Sequence, residues 1–376
     1  MKWTLLSTLF LTISVTNIYA DDVENEISAL MEKYDAIGVS VAVVKGKRII
    51  YSKSFGYKIR EDSIPLTNND LFRIASISKT FVGTAIMQLL EKKKLSLDDD
   101  VNQYLGFTIR NPKFPDVPIT IRMLLCHRSS INDSQGYKTF DKINPVTDSL
   151  FSKCYYEYEP NSKYAYSNLN YNLLGAIIEK VTGERFDRYI YQNILSPLKL
   201  NGSFNVLDLD SLQFVRPYFI NKNGVPHYSR DAFNPYLSEL QDYKLGYSTP
   251  ILSPAGGMKL SAPDLAQYMM MHMNNGKNRG IRVLSRKNEL LMRTPPVKKQ
   301  SYALSLYRDG NIIPGEVLVG HTGGAYGFKT AMFFHPEKHY GFVVFSNGYR
   351  DSDKGSEDFR SQVIRILYKK LIENKE

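Results

Sequence analysis

The sequence predicts an α+β (α/β) fold, in which an antiparallel sheet is built from both ends of the chain. Helices flank that sheet, and a mainly helical region is inserted between its two halves. Three observations lead there. Residues 38–55 and 327–346 each read as two β-rich runs joined by a short turn. Between them, apolar residues recur at helical rather than strand spacing. A chain of 376 residues, 43% hydrophobic and 23% charged, can bury one large core or two intimately packed ones.

The elements follow in order. Val23 to Tyr34 reads as a helix with Ile27, Leu30 and Met31 on one face. Gly38 to Val44 and Arg48 to Phe55 form a hairpin about Lys45-Gly46-Lys47. Leu71 to Ser76 leads into a helix from Ser78 to Lys93, whose Phe81, Val82, Ala85, Ile86, Leu89 and Leu90 make a buried stripe. The run Lys92-Lys93-Lys94 closes that helix, where cations suit the dipole. Tyr171 to Val181 is a second apolar helix, stopped by Gly183. Residues 200–250, rich in Asn, Asp, Ser, Pro and Tyr, read as irregular loops. Ser261-Ala262-Pro263-Asp264 starts a further helix, in which Met269, Met270 and Met271 fill core. Gly327 to Phe334 and Tyr340 to Ser346 flank a turn at 335–339, and an amphipathic helix over Glu357 to Ile372 ends the chain. The expected division is a leader of 1–20, a sheet domain of 21–95 and 245–376, and a mainly helical insert of 96–244.

The leader reads as a secretory signal. Lys2 precedes an apolar run from Leu5 to Val15, and Tyr19-Ala20 before Asp21-Asp22 suits cleavage after Ala20. That run is shorter than the ~20 residues of a spanning helix, and no later segment is apolar enough for an anchor. The sequence therefore places the mature protein in the periplasm or outside the cell. An oxidising compartment permits a bridge between the two cysteines, Cys126 and Cys154, while the apolar Met123-Leu124-Leu125 before Cys126 suits core; both readings stay open. The formal charge of +10 falls to +9 without Lys2 and favours adsorption to acidic envelope surfaces. Its Lys and Arg are scattered and no nucleic-acid motif occurs, which argues against a nucleic-acid partner. The oligomeric state is left open.

Three short elements carry candidate chemistry. In Ser76-Ile77-Ser78-Lys79, a serine and a lysine three apart at a helix start share one face. A serine hydroxyl needs a base to take its proton, and burying an amine lowers its pKa enough to serve. In Tyr166-Ser167-Asn168, just before the second apolar helix, Tyr166 can relay a proton if a cation depresses its pKa, and Asn168 can hydrogen-bond a substrate amide. In His321-Thr322-Gly323-Gly324, before the C-terminal hairpin, small residues let a substrate approach the sheet edge. The N–H groups of Gly324 and Ser76 would together cradle an oxyanion. His335 and His339 are four apart, but Pro336 between them points to a turn rather than a metal pair on a helix. His127 reads as structural, capping a helix end.

Taken in this order, the three elements resemble the signature of the β-lactamase-like serine hydrolases: class C β-lactamases, penicillin-binding D,D-peptidases, and related esterases and D-aminopeptidases. Phe72-Arg73-Ile74-Ala75, Leu97-Asp98-Asp99, Leu124-Leu125-Cys126-His127 and Pro254-Ala255-Gly256-Gly257-Met258 also look like this family. The resemblance runs from Ile27 to Tyr368. It implies a β-lactamase/transpeptidase-like fold with the active site between the sheet domain and the insert. It also implies an exported enzyme whose Ser76 forms an acyl-enzyme with an ester, peptide or β-lactam, with Lys79 and Tyr166 sharing proton transfer. Asn168, His321, Thr322, Gly323 and Gly324 would bind substrate and oxyanion, with no metal or other cofactor. His321 departs from the lysine of many β-lactamases and D,D-peptidases. A histidine is mostly neutral near pH 7, which favours esterase or peptidase chemistry over penicillin hydrolysis. A binding sensor that acylates once and stalls is the alternative of another class.

Overall fold

The computed structural model describes residues 22–221, 223–350 and 357–373. The leader and its cleavage point lie outside them. Helix α1 spans 22–33. Strands β1 (Gly38–Lys45), β2 (Arg48–Ile59) and β3 (Ile64–Pro65) follow from the N-terminal part, and β4 (Tyr307–Asp309), β5 (Leu318–Ala325), β6 (Phe328–His335) and β7 (Tyr340–Ser346) from the C-terminal part. They form one seven-stranded sheet in the order β4-β5-β6-β7-β1-β2-β3, with antiparallel pairing throughout. The two halves of the chain join where Val41 of β1 pairs with Val344 of β7.

The central strands show why the sheet is covered on both faces. Along β1, Val39, Val41 and Val43 enter one apolar cluster, whereas Ala42 and Val44 enter another. In β7, Phe342 and Val344 face the first cluster, and Val343 and Phe345 the second. A strand that is apolar on both sides needs a layer on each. The first layer is α1 with the closing helix α5 (Phe359–Leu371), through Ile27, Val363 and Leu367. The second, larger layer holds α2 (Ser78–Glu91), α3 (Asn168–Thr182) and α4 (Ala262–Met273). Strand β2 alternates exposed and half-buried residues, as a strand near the sheet's margin should.

Most expected elements stand within a few residues. Gly183 ends α3 in a left-handed conformation, φ +73°. Ser261 caps α4 by accepting from the Asp264 N–H, and Met269, Met270 and Met271 are buried. Residues 200–250 hold only short pieces of strand and helix. The 335–339 segment is a hairpin turn, and its His335 Nδ1 accepts from the Glu337 and Lys338 N–H groups at 3.2 and 3.0 Å. Three strands of this sheet were not expected, among them the short β3 at Ile64–Pro65. The His321-Thr322-Gly323-Gly324 stretch, read as preceding the strands, is itself part of β5, and Tyr307–Asp309 adds the short outer strand. Glycines and a histidine disguise β5, because they carry little strand propensity. Cys126 and Cys154 are both buried free thiols. Among the described residues no helix is long and apolar enough to cross a membrane.

Candidate active site

Ser76 sits in a 3₁₀ turn between the short strand Phe72–Arg73 and α2. The preceding Ala75 has φ +49°, an uncommon conformation for a residue with a Cβ, and it turns the chain sharply into the helix. Several contacts hold this corner. The Ile74 N–H donates to the Met258 carbonyl at 2.9 Å, and the Met258 N–H donates to Ser78 Oγ at 3.0 Å. Phe81 stacks on Tyr268 of α4 with ring centres 3.8 Å apart. Strand β5 presses in from the other side. A Cβ on Gly323 would lie 2.3 Å from the Ile74 carbonyl oxygen and from Thr330 Oγ1, so only glycine allows this approach. At Gly324 a Cβ would meet open space, because that residue faces the cleft.

Lys79 is fully buried in the first turn of α2, three residues after Ser76. Its Nζ lies 2.6 Å from the Ala255 carbonyl oxygen, 2.8 Å from Asn168 Oδ1 and 3.3 Å from Ser76 Oγ. Burial lowers its pKa to about 7, against the opposing pull of the Asp133 carboxylate. A neutral amine has two N–H donors and one lone pair. With the donors committed to Ala255 and Asn168, the lone pair is left for the Ser76 hydroxyl.

The Tyr166 segment is anchored from behind. Asp133, on a remote loop, accepts from Ser167 Oγ (2.7 Å), Asn168 N (2.8 Å), Asn168 Nδ2 (2.9 Å) and Leu169 N (3.1 Å). It thereby caps α3, whose own N-cap Ser167 makes no side-chain cap bond. His127 stands, as expected, at a helix end: it follows the Cys126 C-cap of helix Ile121–Leu125 at φ +56°, its N–H donates to the Leu124 carbonyl at 3.3 Å, and its Nδ1 accepts from the Ser167 N–H at 3.2 Å. Tyr166 packs at a tilt of 36° against that imidazole, 4.2 Å between ring centres, and its ring lies 4.9 Å from Lys79 Nζ. The ring is 37% exposed to the cleft. Even so, the protein packed around it pushes its pKa up, against a hydrogen bond with Ser76, so the resting side chain is a phenol.

His321 is buried on β5. Its Nδ1 donates to the Thr322 carbonyl at 2.5 Å, which leaves Nε2 to accept from the Tyr302 hydroxyl at 3.0 Å. Burial, reinforced by repulsion from Lys79, lowers its pKa to about 3. The ring is a neutral acceptor at any ordinary pH. Thr322 Oγ1 accepts from the Tyr307 hydroxyl at 3.3 Å.

Two cavities meet at Ser76, Tyr166 and Gly324. One, of about 750 Å³, opens toward Arg73, Tyr137 and Tyr326. The other, of about 510 Å³, opens toward Tyr164, Tyr302 and Thr322. All eight residues singled out in the sequence thus gather around one cleft: Ser76, Lys79, Tyr166, Asn168, His321, Thr322, Gly323 and Gly324. The sequence reading missed Asp133 and Tyr302. Asp133 carries no spacing signal toward a helix 34 residues on, and Tyr302 is one of 26 tyrosines.

The β-lactamase family model matches residues 23–364, nearly the whole of the described chain. The chain belongs to the β-lactamase family. Members of this family are generally serine hydrolases. Among curated relatives, Protein flp of Staphylococcus aureus (strain MRSA252) is 27% identical over 349 residues, 89% of this chain and 64% of its own length. The chain therefore spans less than two thirds of that relative. A putative D-alanyl-D-alanine carboxypeptidase of Escherichia coli O157:H7 is 25% identical, covering 82% of this chain and 78% of its own length. Among solved structures, the octameric penicillin-binding protein homologue from Pyrococcus abyssi superposes with a TM-score of 0.73 at 26% identity. That match covers 93% of this chain and 76% of the homologue. The family's fold is the one built above: an antiparallel sheet with helices on both faces.

Proposed function

We propose that this protein is a serine hydrolase that works through an acyl-enzyme on Ser76 and cleaves an ester or an amide bond, the latter of D-amino-acid peptide type. The observation that carries the proposal is the buried Lys79 amine, 3.3 Å from Ser76 Oγ with Ala255 and Asn168 as its other two partners, so that once deprotonated its lone pair is left to Ser76. A base with a pKa near the working pH is the most effective proton acceptor.

In this reading Ser76 Oγ bonds to the substrate carbonyl carbon as its proton passes to Lys79 Nζ. The carbonyl electron pair moves onto oxygen, where the Ser76 and Gly324 N–H groups receive it. Collapse of this intermediate breaks the bond to the leaving alcohol or amine. The leaving group takes the proton from Lys79 by way of the Tyr166 hydroxyl. Water then repeats the sequence on the acyl-enzyme and returns Ser76. Asn168 bridges Asp133 to the Lys79 amine, and the second N–H of its amide, on the wall of the larger cavity, is left to hydrogen-bond a substrate amide.

The neutral His321, already held by Tyr302, supplies no charge for a carboxylate beside the scissile bond, so esters and amides without that carboxylate are favoured over penicillins. Read with the leader of 1–20, the enzyme is exported. A fluorophosphonate probe tests the proposal: it labels the folded protein at Ser76 in a one-to-one adduct, and the peptide carrying Ser76 gains the corresponding mass. A folded protein that stays unlabelled would overturn it. Among p-nitrophenyl esters, D-Ala-D-Ala peptides and a chromogenic cephalosporin, the cephalosporin is expected to be the poorest substrate.

A further inference from the structure

The cleft does not end at Thr322. The chamber of about 510 Å³ beside Ser76 continues into a second of about 380 Å³, and the two share Tyr164, Ser301 and Tyr302. The second chamber is lined by Arg128 and Lys299, and the first by Lys329 and Arg360. No Asp or Glu lines either one. The chamber on the opposite side of Ser76 differs, because Glu239 offsets its cations there.

The charges in the second chamber lack carboxylate partners. Arg128 Nε donates to Asn161 Oδ1 at 3.0 Å, Nη1 to Gln300 Oε1 at 3.1 Å, and Nη2 to the Asn161 carbonyl. All three acceptors are neutral, so the guanidinium is held in place with its charge uncompensated. Gln300 is held in turn, its Nε2 donating to the carbonyls of Cys126 (3.1 Å) and Tyr302 (2.8 Å). Lys299 is exposed and makes no hydrogen bond or ion pair among the described residues. A charged side chain held rigidly by neutral acceptors loses little freedom when an anion arrives, which is the condition for a useful ion contact.

We propose that this groove binds an anionic arm of the substrate, a carboxylate or a phosphate set several atoms from the scissile bond, at Arg128 and Lys299. The inference rests on the hydrolase reading above and adds a substrate class to it. An anion directly beside the scissile bond would remain at Thr322 in the first chamber. Only a longer arm, passing Tyr164 and Tyr302, reaches the second.

The test uses paired esters. In one series the acyl arm ends in a carboxylate or a phosphate, and in the other the phenol arm does; each is compared with its methyl-capped neutral counterpart. In at least one series the anionic member is expected to exceed the neutral one in kcat/KM by about tenfold at low salt, an advantage that shrinks at high salt. The anionic-to-neutral ratio should fall about threefold in Lys299→Gln and about tenfold in the R128Q K299Q double variant. Comparison of the carboxylate with the phosphate arm identifies the anion. Hydrolysis of neutral and anionic esters at equal rates in both series, or a ratio indifferent to the variants and to salt, overturns this inference and leaves the hydrolase reading intact. If no ester is cleaved, fluorophosphonate labelling still decides the hydrolase reading, and binding decides for the groove. Ser76→Ala protein should then bind phenylhexanoate or phenylhexyl phosphate at least about tenfold more tightly than phenylhexanol; equal binding overturns the proposal.

Discussion

Among the described residues two lysines lie buried, Lys79 on α2 and Lys259 on the short strand Lys259–Leu260, and only one of them faces a nucleophile. Both have lowered pKa values, and burial is the first cause in each. Their neighbours differ. Lys79 has three acceptors within reach, a carboxylate nearby at Asp133, and the part-exposed Ser76 between it and the cleft. Lys259 donates to the Phe204 carbonyl at 2.7 Å and is repelled by the adjacent Arg73, its partner across the strand pair, with Asp187 and Asp208 opposing in part; no hydroxyl open to substrate is among its hydrogen-bond partners. A depressed lysine pKa is thus a symptom of burial. It becomes a catalytic property where the lone pair points at a hydroxyl that substrate can reach.

The comparison breaks most visibly at Lys79. Lys79→Ala is expected to leave the circular dichroism spectrum unchanged and to lower kcat by ~10²–10⁴, the range for loss of a general base. The pH profile gives a second handle. The base must be neutral to act, so kcat/KM should rise through an acidic limb near pH 7, the value at which the Lys79 amine loses its proton. Lys79→Ala should abolish that limb along with the rate. Retained activity with a limb still at pH 7 would assign the base elsewhere.

How far this was legible follows from where the information lies in the chain. Ser76 and Lys79 share one helical turn, so three-residue spacing alone put them together, and the glycine and apolar patterns marked α2 and α3. The pairing of β1 with β7 was inferable because each strand is apolar on both faces and needed a partner in a covered sheet. Strand β5 was hidden. Gly320, His321, Thr322, Gly323 and Gly324 carry almost no strand signal, and they form a strand because β6 and the Ile74–Ala75 corner accept backbone at close range. Asp133 was hidden for another reason: its role is set by tertiary contact with a helix start that its own sequence neighbourhood does not announce.

Asp133 sharpens the comparison, since Asn168 links it to the Lys79 amine, whereas the carboxylates near Lys259, Asp187 and Asp208, are paired with Arg185 and Arg188. The carboxylate favours the charged amine and so raises the Lys79 pKa above what burial alone would set. Removing that charge in Asp133→Asn lets the pKa fall further. The acidic limb of kcat/KM is expected to move to lower pH by about half to one pH unit. Loss of the α3 cap should cost about 1–2 kcal/mol of stability. The maximum rate should drop about tenfold, because Asn168 loses the acceptor that orients it toward Lys79. An unmoved limb would mean that the carboxylate acts on structure alone.

The smallest effect is expected at Lys259, and it has the opposite sign. An unfolded lysine holds its proton up to about pH 10.4, whereas the buried one gives it up well below that. Folding therefore releases a proton in the interval between the two values, and in that interval the residue makes stability rise with pH. Lys259→Met removes the linkage and keeps most of the volume, at the expense of the bond to the Phe204 carbonyl. At pH 7 the variant is expected to melt about 1–3 °C above the parent, with the gap closing as pH approaches the ordinary lysine range. Its kcat/KM should stay within about twofold, because no reacting atom lies near this amine. A loss of rate comparable to that of Lys79→Ala would show that the second buried lysine serves the site after all, and the distinction drawn from their neighbours would fall.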